Sequence, residues 1–442
     1  MTWNWAVFRI GLILVAVSLH GEELTLDQAV QLAVKQNRGI RDSLLDVAKA
    51  NDKIAQLHTR LLPNFSVYAL GSQQLQAIDF TFKSGVLGVF PGIGPVPAVD
   101  TTVRTPLQPT GLLMARVSQP LSTMYRIRLN LKTLQLNSRI AEERSRQQRL
   151  DVVRNVKKLY YGIQQMEGSL QSVLETLKLY QELDRLTGDY VKQQAALEAD
   201  ALAVQVNLAR TEQARMTLED QEATAKEQLN QLLGRDVLTE FSVSSIAEAG
   251  DFETDIAAAR KRALEMRPEI RQARLRIEAA EQDVRAKRAE YIPDISADFN
   301  SLTLLNFNQF IPSHFTGVGV SVSWEPFDWG RKKNELAEKR KTAEQARNGA
   351  NDAESLVIID VNDKFRQLRQ SRAQLRVTQL ARQAALESLR VVKNKYQVQA
   401  SLLKDVLEAQ AKVEQAGAAS QQALAAFWTT KAEFERALGE DQ

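Results

Sequence analysis

The chain carries one long pattern twice. Residues 33–68 align with 263–298 at a constant shift of 230 positions, without a gap. Ala33 meets Ala263, Ile40 meets Ile270, Arg41 meets Arg271, Leu45 meets Leu275, Ala50 meets Ala280, Pro63 meets Pro293 and Ser66 meets Ser296. Residues 152–234 align with 357–439 at a shift of 205, through Val152/Val357, Val156/Val361, Tyr160/Phe365, Leu170/Leu375, Asp200/Asp405, Leu202/Leu407, Gln205/Gln410 and Gly234/Gly439. A repeat of this period means two copies of one supersecondary unit. Each copy reads as short helix, helix, strand, loop, strand, long helix, helix, so the fold must house every element in duplicate.

The sharpest local constraint in each copy is a proline. LLPNFSVYA (Leu61 to Ala69) and YIPDISADF (Tyr291 to Phe299) each follow a charged helical pattern and open an alternating one. Proline lacks an N–H and pushes the preceding residue out of the helical region. Pro63 and Pro293 thus turn helix into strand, and the return strands end at Pro120 and Pro326. The return strand of the second copy places Val318, Val320, Val322 and Trp324 on one face. In the first copy, Ile78 to Pro109 holds five of the eleven prolines plus Gly85, Gly88, Gly92 and Gly94, and reads as a large irregular loop.

Beyond the strands the pattern is helical. Leu159, Ile163, Met166, Leu170, Val173, Leu177 and Tyr180 form a strict heptad seam inside a proline-free run from Arg126 to about Leu186. Roughly 60 helical residues at 1.5 Å each span about 90 Å, more than a compact domain needs. In the last helix Val406, Val413, Phe427 and Phe434 share one line, while Ala409, Ala416, Ala423 and Thr430 share another. Small residues on a seam let helices approach closely. The helices are therefore expected to pack along their length rather than around a globular core.

Composition narrows the function. The 57 basic and 54 acidic residues leave a net charge of +3, which gives no push toward nucleic acid. Cysteine is absent, which excludes disulfides and thiolate metal sites, and His20, His58 and His314 are too scattered for a metal site. No phosphate loop, nucleophile elbow or HExxH motif occurs, and Glu142 with Glu143 reads as a solvated pair, so no enzyme chemistry and no cofactor are expected. Residues 1–21 place Arg9 before a short apolar run and read as a secretory signal, with an uncleaved anchor as the other reading. No later stretch holds 18 consecutive apolar residues. A mature chain that enters a membrane must then do so as strands.

Four strands in two hairpins cannot close a barrel alone, and a membrane barrel tolerates no open edge. Three chains supply twelve antiparallel strands, each of a length that crosses a bilayer once. Trp324, Phe327 and Trp329 stand where strand gives way to helix, which suits an interfacial aromatic belt or local packing.

In these features the sequence resembles the TolC-type outer membrane efflux factors. The markers are the opening LTLDQAVQLAVKQN, the two helix–proline–strand switches, EPFDWGRKK from Glu325 to Lys333, and YQVQASLLKDVLEAQ from Tyr396 to Gln410. The resemblance implies a fold that mixes α and β but is mainly long α-helices. It implies a homotrimer whose twelve-stranded transmembrane β-barrel in outer membrane lipid continues into a periplasmic α-helical coiled-coil barrel. It also implies a periplasmic adaptor (a membrane fusion protein) and an inner membrane pump or ABC transporter as partners, with no nucleic acid.

On this reading the signal, 1–21, precedes repeat 1, residues 22–234. That repeat has helices over 22–62, strands 64–77 and 111–119, and helices over 126–233. An equatorial segment, 235–253, leads to repeat 2, residues 254–439, with helices over 254–292, strands 294–304 and 316–325, and helices over 330–438. The tip turns carry the candidate gate. Asp405 and Glu408 share a helix face and match an acidic pair that narrows the periplasmic mouth; a solvated helix face is the plain alternative. Asp200 is the first-copy counterpart of Asp405, with Ala203 in place of the second acid, and Tyr396 either packs or hydrogen-bonds there. Two departures stand out. Gln194 and Gln399 occupy turn positions where the family usually has glycine, and the first copy lacks the counterpart of Gly330 near Met124 and Tyr125. The function implied is a passive exit duct across the outer membrane. The competing reading is a periplasmic coiled-coil adaptor or scaffold without a pore.

Overall fold

The computed structural model describes residues 22–104, 107–194, 197–244, 255–307, 312–398 and 400–440. The signal read over 1–21 and Gln399 lie outside these residues, as does part of the 235–253 segment. The fold is mainly helical with a minority of strands, and it follows the two-copy order. In chain order the first copy has β1 (Glu22–Leu24), α1 (Leu26–Gln36), α2 (Arg38–His58), β2 (Asn64–Gln73), β3 (Asp79–Phe82), β4 (Val89–Phe90), β5 (Gly94–Pro95), β6 (Thr101–Arg104), β7 (Pro109–Pro120), α3 (Thr123–Lys192) and α4 (Glu198–Leu233). After β8 (Phe241–Val243) the second has α5 (Ile256–Met266), α6 (Pro268–Arg288), β9 (Asp294–Leu305), β10 (His314–Ser323), α7 (Arg331–Gln397) and α8 (Leu403–Leu438). No helix among the described residues is long and apolar enough to cross a membrane. The chain divides into two compact units.

The first unit combines residues up to Ser43, Ser145–Pro268 and the stretch from Glu354 onward. Its core gathers Leu24, Ala29, Ala33, Val156, Ile163, Leu229 and Leu233, all at zero exposure. β1 and β8 pair in parallel over them. Tyr160 is nearly fully buried, and its hydroxyl donates to the Leu24 carbonyl at 2.9 Å, which satisfies the one polar atom of a large core side chain. Thr25 caps α1 through a reciprocal box with Gln28. Asn37 ends α1 and starts α2: its Oδ1 accepts from the Ile40 amide at 3.1 Å, and its Nδ2 donates to Leu232 at 2.7 Å. In the second copy Arg267 stands at that corner and pairs with Asp360 at 2.6 Å, while Pro268 supplies the first helical residue of α6. Charge pairs then clamp α8 on both sides: Lys157–Glu435 and Lys364–Glu433, each at 2.7 Å, and Arg436–Asp151 at 3.0 Å.

The second unit, Leu44–Arg144 with Glu269–Ala353, carries one four-stranded sheet. All neighbours run antiparallel in the order β10-β9-β7-β2, so two hairpins lie side by side. β2 ends at Gln73 rather than running to 77, because its partner register reaches Pro109, which has no amide hydrogen for a further rung. The region read as an irregular loop is instead partly ordered: β3 pairs with β6, and β4 with β5. Its alternation is hidden in sequence by the glycines and prolines between those short strands. Glu143, read as solvated, is half-buried and lies 3.5 Å from Arg271.

Both helical copies close on a left-handed glycine, Gly234 at φ +76° and Gly439 at φ +79°. A Cβ on Gly234 would lie 2.4 Å from the Gln36 carbonyl oxygen; on Gly439 its nearest neighbours are Arg267 and Met266 backbone atoms at 3.1 Å. The left-handed conformation alone costs an alanine about 1 kcal/mol. Gly234→Ala is therefore expected to lower the thermal midpoint of the purified protein more than Gly439→Ala does. Equal shifts would show that the close backbone approach contributes nothing.

Candidate functional site

Three groups of residues bear on function: the helix–strand joints, the faces of the sheet, and the helix tips. At the joints, α2 and α6 each tighten into a short 3-10 turn, Thr59–Leu61 and Ala289–Tyr291. After one further residue, Leu62 or Ile292, come Pro63 and Pro293, immediately before β2 and β9 begin. Pro120 is the last residue of β7, and Pro326 stands between β10 and α7. The structure brings the first-copy return joint against the second-copy entry joint. Ser122 donates to the Pro293 carbonyl and accepts from the Ile295 amide, both at 2.7 Å, and Thr123 reaches Asp294 at 3.1 Å. The second return joint uses Asp328 instead. Its two carboxylate oxygens accept from the amides of Gly330 (3.1 Å) and Lys332 (3.0 Å), while Trp329 and Gly330 both take positive φ. The two return joints are thus built differently: Ser122 ties its joint to the neighbouring strand, whereas Asp328 accepts from amides at the start of its own helix.

The pairing register assigns each strand residue to a face. Phe65, Val117, Phe299 and Val318 form one continuous cross-strand row, with Ala297, Val320, Ile295 and Val322 on the same face. Val318 and Val320 are 84% and 67% exposed in the single chain, values a water-facing sheet does not sustain for valine. The opposite face is polar near the joints. Asn64, Ser118 and Asp298 form one row; Ser66, Arg116 and Asn300 form the next. Asp298 is almost fully covered. It accepts from Arg116 at 2.9 Å and from the hydroxyls of Ser321 at 2.6 Å and Ser296 at 3.2 Å. Sequence reading missed this network. Its signal is the alternation Ser296, Asp298, Asn300, which marks a strand with one polar face. β2 and β10 are the outer strands, and both are exposed throughout.

At the tips, Tyr180, Leu183, Val204 and Val406 form a small buried cluster against which Tyr396 packs. Burial raises the Tyr396 hydroxyl pKa above the usual tyrosine value, with the nearby Tyr190 and Asp200 adding to the effect. Asp405 lies at the start of α8, where its Oδ2 accepts from the Ser401 hydroxyl at 2.8 Å and the Leu402 amide at 3.0 Å. These bonds, the hydroxyl foremost, hold its pKa below the aspartate norm. Asp200 makes the corresponding bond to the Leu197 amide at a weaker 3.4 Å. Glu408 is exposed and lies 3.6 Å from Lys404. The structure thus brings Tyr396 and Asp200 together, engages Asp405 in capping, and leaves Glu408 on the surface. Gln194 has φ +57°, the left-handed geometry for which glycine is the natural residue, which gives the physical reason for the family preference at that turn. Also unforeseen was a buried polar contact just inside the tip: Gln410 donates to Thr176 at 3.0 Å, beside Glu414, whose pKa burial raises, and Tyr180, pushed up to about 12 by burial.

A family model described as outer membrane efflux protein matches residues 29–235 and 259–440. No curated protein sequence matches the chain. The fold is shared with solved channels. The CmeC outer membrane channel of Campylobacter jejuni is 15% identical at a TM-score of 0.76, over 99% of this chain and 93% of that one. VceC of Vibrio cholerae is 16% identical at 0.73, over 94% and 96%. The MtrE outer membrane channel of Neisseria gonorrhoeae is 18% identical at 0.71, over 94% and 89%.

Asp405 has a lowered folded pKa, so its capping contribution is in force above the ordinary value of 3.8 and is lost as pH falls through the lowered one. Hydrogen exchange of the Leu402 amide, relative to its intrinsic rate at each pH, checks this. Wild-type protection is expected to hold at neutral pH and to decline only in strong acid, whereas Asp405→Ala lacks it at every pH.

Proposed function

The chain belongs to the outer membrane efflux protein family, and from that premise we propose that three copies form a passive exit duct of a tripartite efflux pump or type I secretion system. The duct lies in outer membrane lipid and extends into the periplasm as a helical barrel. It docks to a periplasmic adaptor and through it to an inner membrane pump or ABC transporter, which supplies the energy. Residues 1–21 direct export, and 235–253 belong to the equatorial segment.

One observation carries this reading: a four-stranded antiparallel sheet with both outer strands open and, in its half nearer the joints, one face apolar and the other polar with charge. In a bilayer every backbone N–H and C=O needs a partner, so such a sheet is admissible only if its edges are closed by further copies. Twelve strands from three chains meet that need. The apolar face then meets lipid, and the Arg116–Asp298 face lines water. A periplasmic scaffold without a pore gains nothing from such a sheet.

At the periplasmic end, Asp405 and Glu408 from three copies would set six carboxylates around the axis, a ring that favours cations and repels itself. Tyr396 and Asp200 belong to the same mouth. The protein extracted in detergent is expected to run as a trimer in native mass measurements, and a monomer would sink the duct. In single-channel recordings Asp405→Ala with Glu408→Ala is expected to lower cation preference. Unchanged selectivity would remove the ring while leaving the duct.

A further inference from the structure

The insertion between β2 and β7 is far more apolar than a solvent-facing loop should be. From 74 to 108 its only charged residues are Asp79, Lys83, Asp100 and Arg104, two of each sign. Asp79 and Arg104 neutralise each other through two contacts of 2.8 and 3.1 Å, and Asp100 is taken up by the Ser84 amide at 2.7 Å. The β3–β6 ribbon is two-faced. Asp79, Arg104 and the bonded pair Thr81–Thr102 lie on one side; Phe80, Phe82 and Val103, with Thr101, lie on the other. Beyond it the lobe presents Val89, Ile93 and Val99 to the surroundings at 72%, 76% and 70% exposure.

The sheet beneath this lobe has a matching feature. Moving away from the joints, the face that carries Arg116 and Asp298 turns apolar. Tyr68, Met114, Leu302 and Phe315 form one complete row across all four strands, and Leu70, Leu112 and Leu304 form the next. In a closed barrel this is the inner wall. An apolar collar on a water-filled wall, directly below an apolar lobe, leaves two surfaces in need of cover.

We propose that the apolar face of this lobe packs against the same lobe of the neighbouring copies of this chain, sealing the outer mouth of the duct above the collar. The proposal rests on the trimeric duct argued above. Charge favours self-association over a lipid surface. The lobe sums to zero, so three copies do not repel one another. A phosphate-bearing leaflet would call for a cluster of free cations, and with Arg104 engaged in a two-point pair the lobe offers only Lys83. A seal of this kind excludes hydrated ions and small polar solutes at rest. It yields to a cargo with apolar surface, which can replace lobe–lobe contacts as it leaves.

The chain has no cysteine, so single-cysteine variants report cleanly. Ile93→Cys probes the apolar tip, and Thr102→Cys the polar side of the ribbon; both are read on intact cells in the full-length protein. Ile93→Cys is expected to be linked between chains by a flexible bis-maleimide. It should also react with an impermeant maleimide roughly tenfold or more slowly than Thr102→Cys, as a contact that opens only transiently requires. Trimers in which Ile93→Cys labels freely and stays unlinked would overturn the seal. Slow labelling without linking would place the lobe in lipid and overturn it equally. Absence of any trimer on native gels would instead overturn the duct on which the proposal stands.

Discussion

Unpaired backbone is the constraint on which the rest of this structure depends. A strand at the edge of a sheet exposes a row of N–H and C=O groups, and hydrocarbon offers them nothing. One copy of the repeat yields a single hairpin. The duplicated chain yields two hairpins that share the β7–β9 ladder and still leave β2 and β10 open. In the proposed closed barrel the duplication would halve the number of interfaces between chains without removing the need for them. The long helices follow from the same arrangement. Each strand connects at its joint-side end to a helix, so a chain with four such strands must send four helical legs away from the joints.

Much of this was legible in the sequence, for identifiable reasons. Pro63 and Pro293 announced the joints because a proline acts on its own residue and the one before it, with no help from tertiary structure. The face assignment of β10 was legible because strand alternation is strictly two-fold. What stayed hidden depended on partners distant in sequence. Arg116 meets Asp298 across 182 positions, and Ser122 meets Pro293 across 171, so no local pattern reveals either. The β3–β6 ribbon was hidden differently. Its strands are four residues each, shorter than the window in which alternation can be told from chance.

The two copies are alike in plan and unlike at their ends, and the differences have local causes. At the corner between the short and second helices, Asn37 works through its amide, whereas Arg267 works through charge with a proline behind it. At the return joints Ser122 bonds the backbone of the neighbouring strand, whereas Asp328 accepts from two amides at the start of its own helix. Divergence was tolerated where the task is to satisfy one or two backbone groups, because several side chains can do it. The positions kept in both copies, Gly234 and Gly439, face a harder demand: a left-handed backbone pressed against another chain segment.

The tips combine poor capping with a small buried cluster. Both α4 and α8 are preceded by leucine, Leu197 and Leu402, at a position where a polar side chain normally satisfies the first amides, and both leucines are 70% exposed. Asp200 and Asp405 satisfy only the amides of those leucines, and the longer bond of Asp200 makes the first-copy tip the weaker one. The buried cluster behind them, Tyr180, Leu183, Val204 and Val406, is small. A left-handed Gln194 adds strain to the turn of that same first copy. Local opening costs least where capping is poor, the core is small and the backbone is strained. All three conditions meet at the first-copy tip.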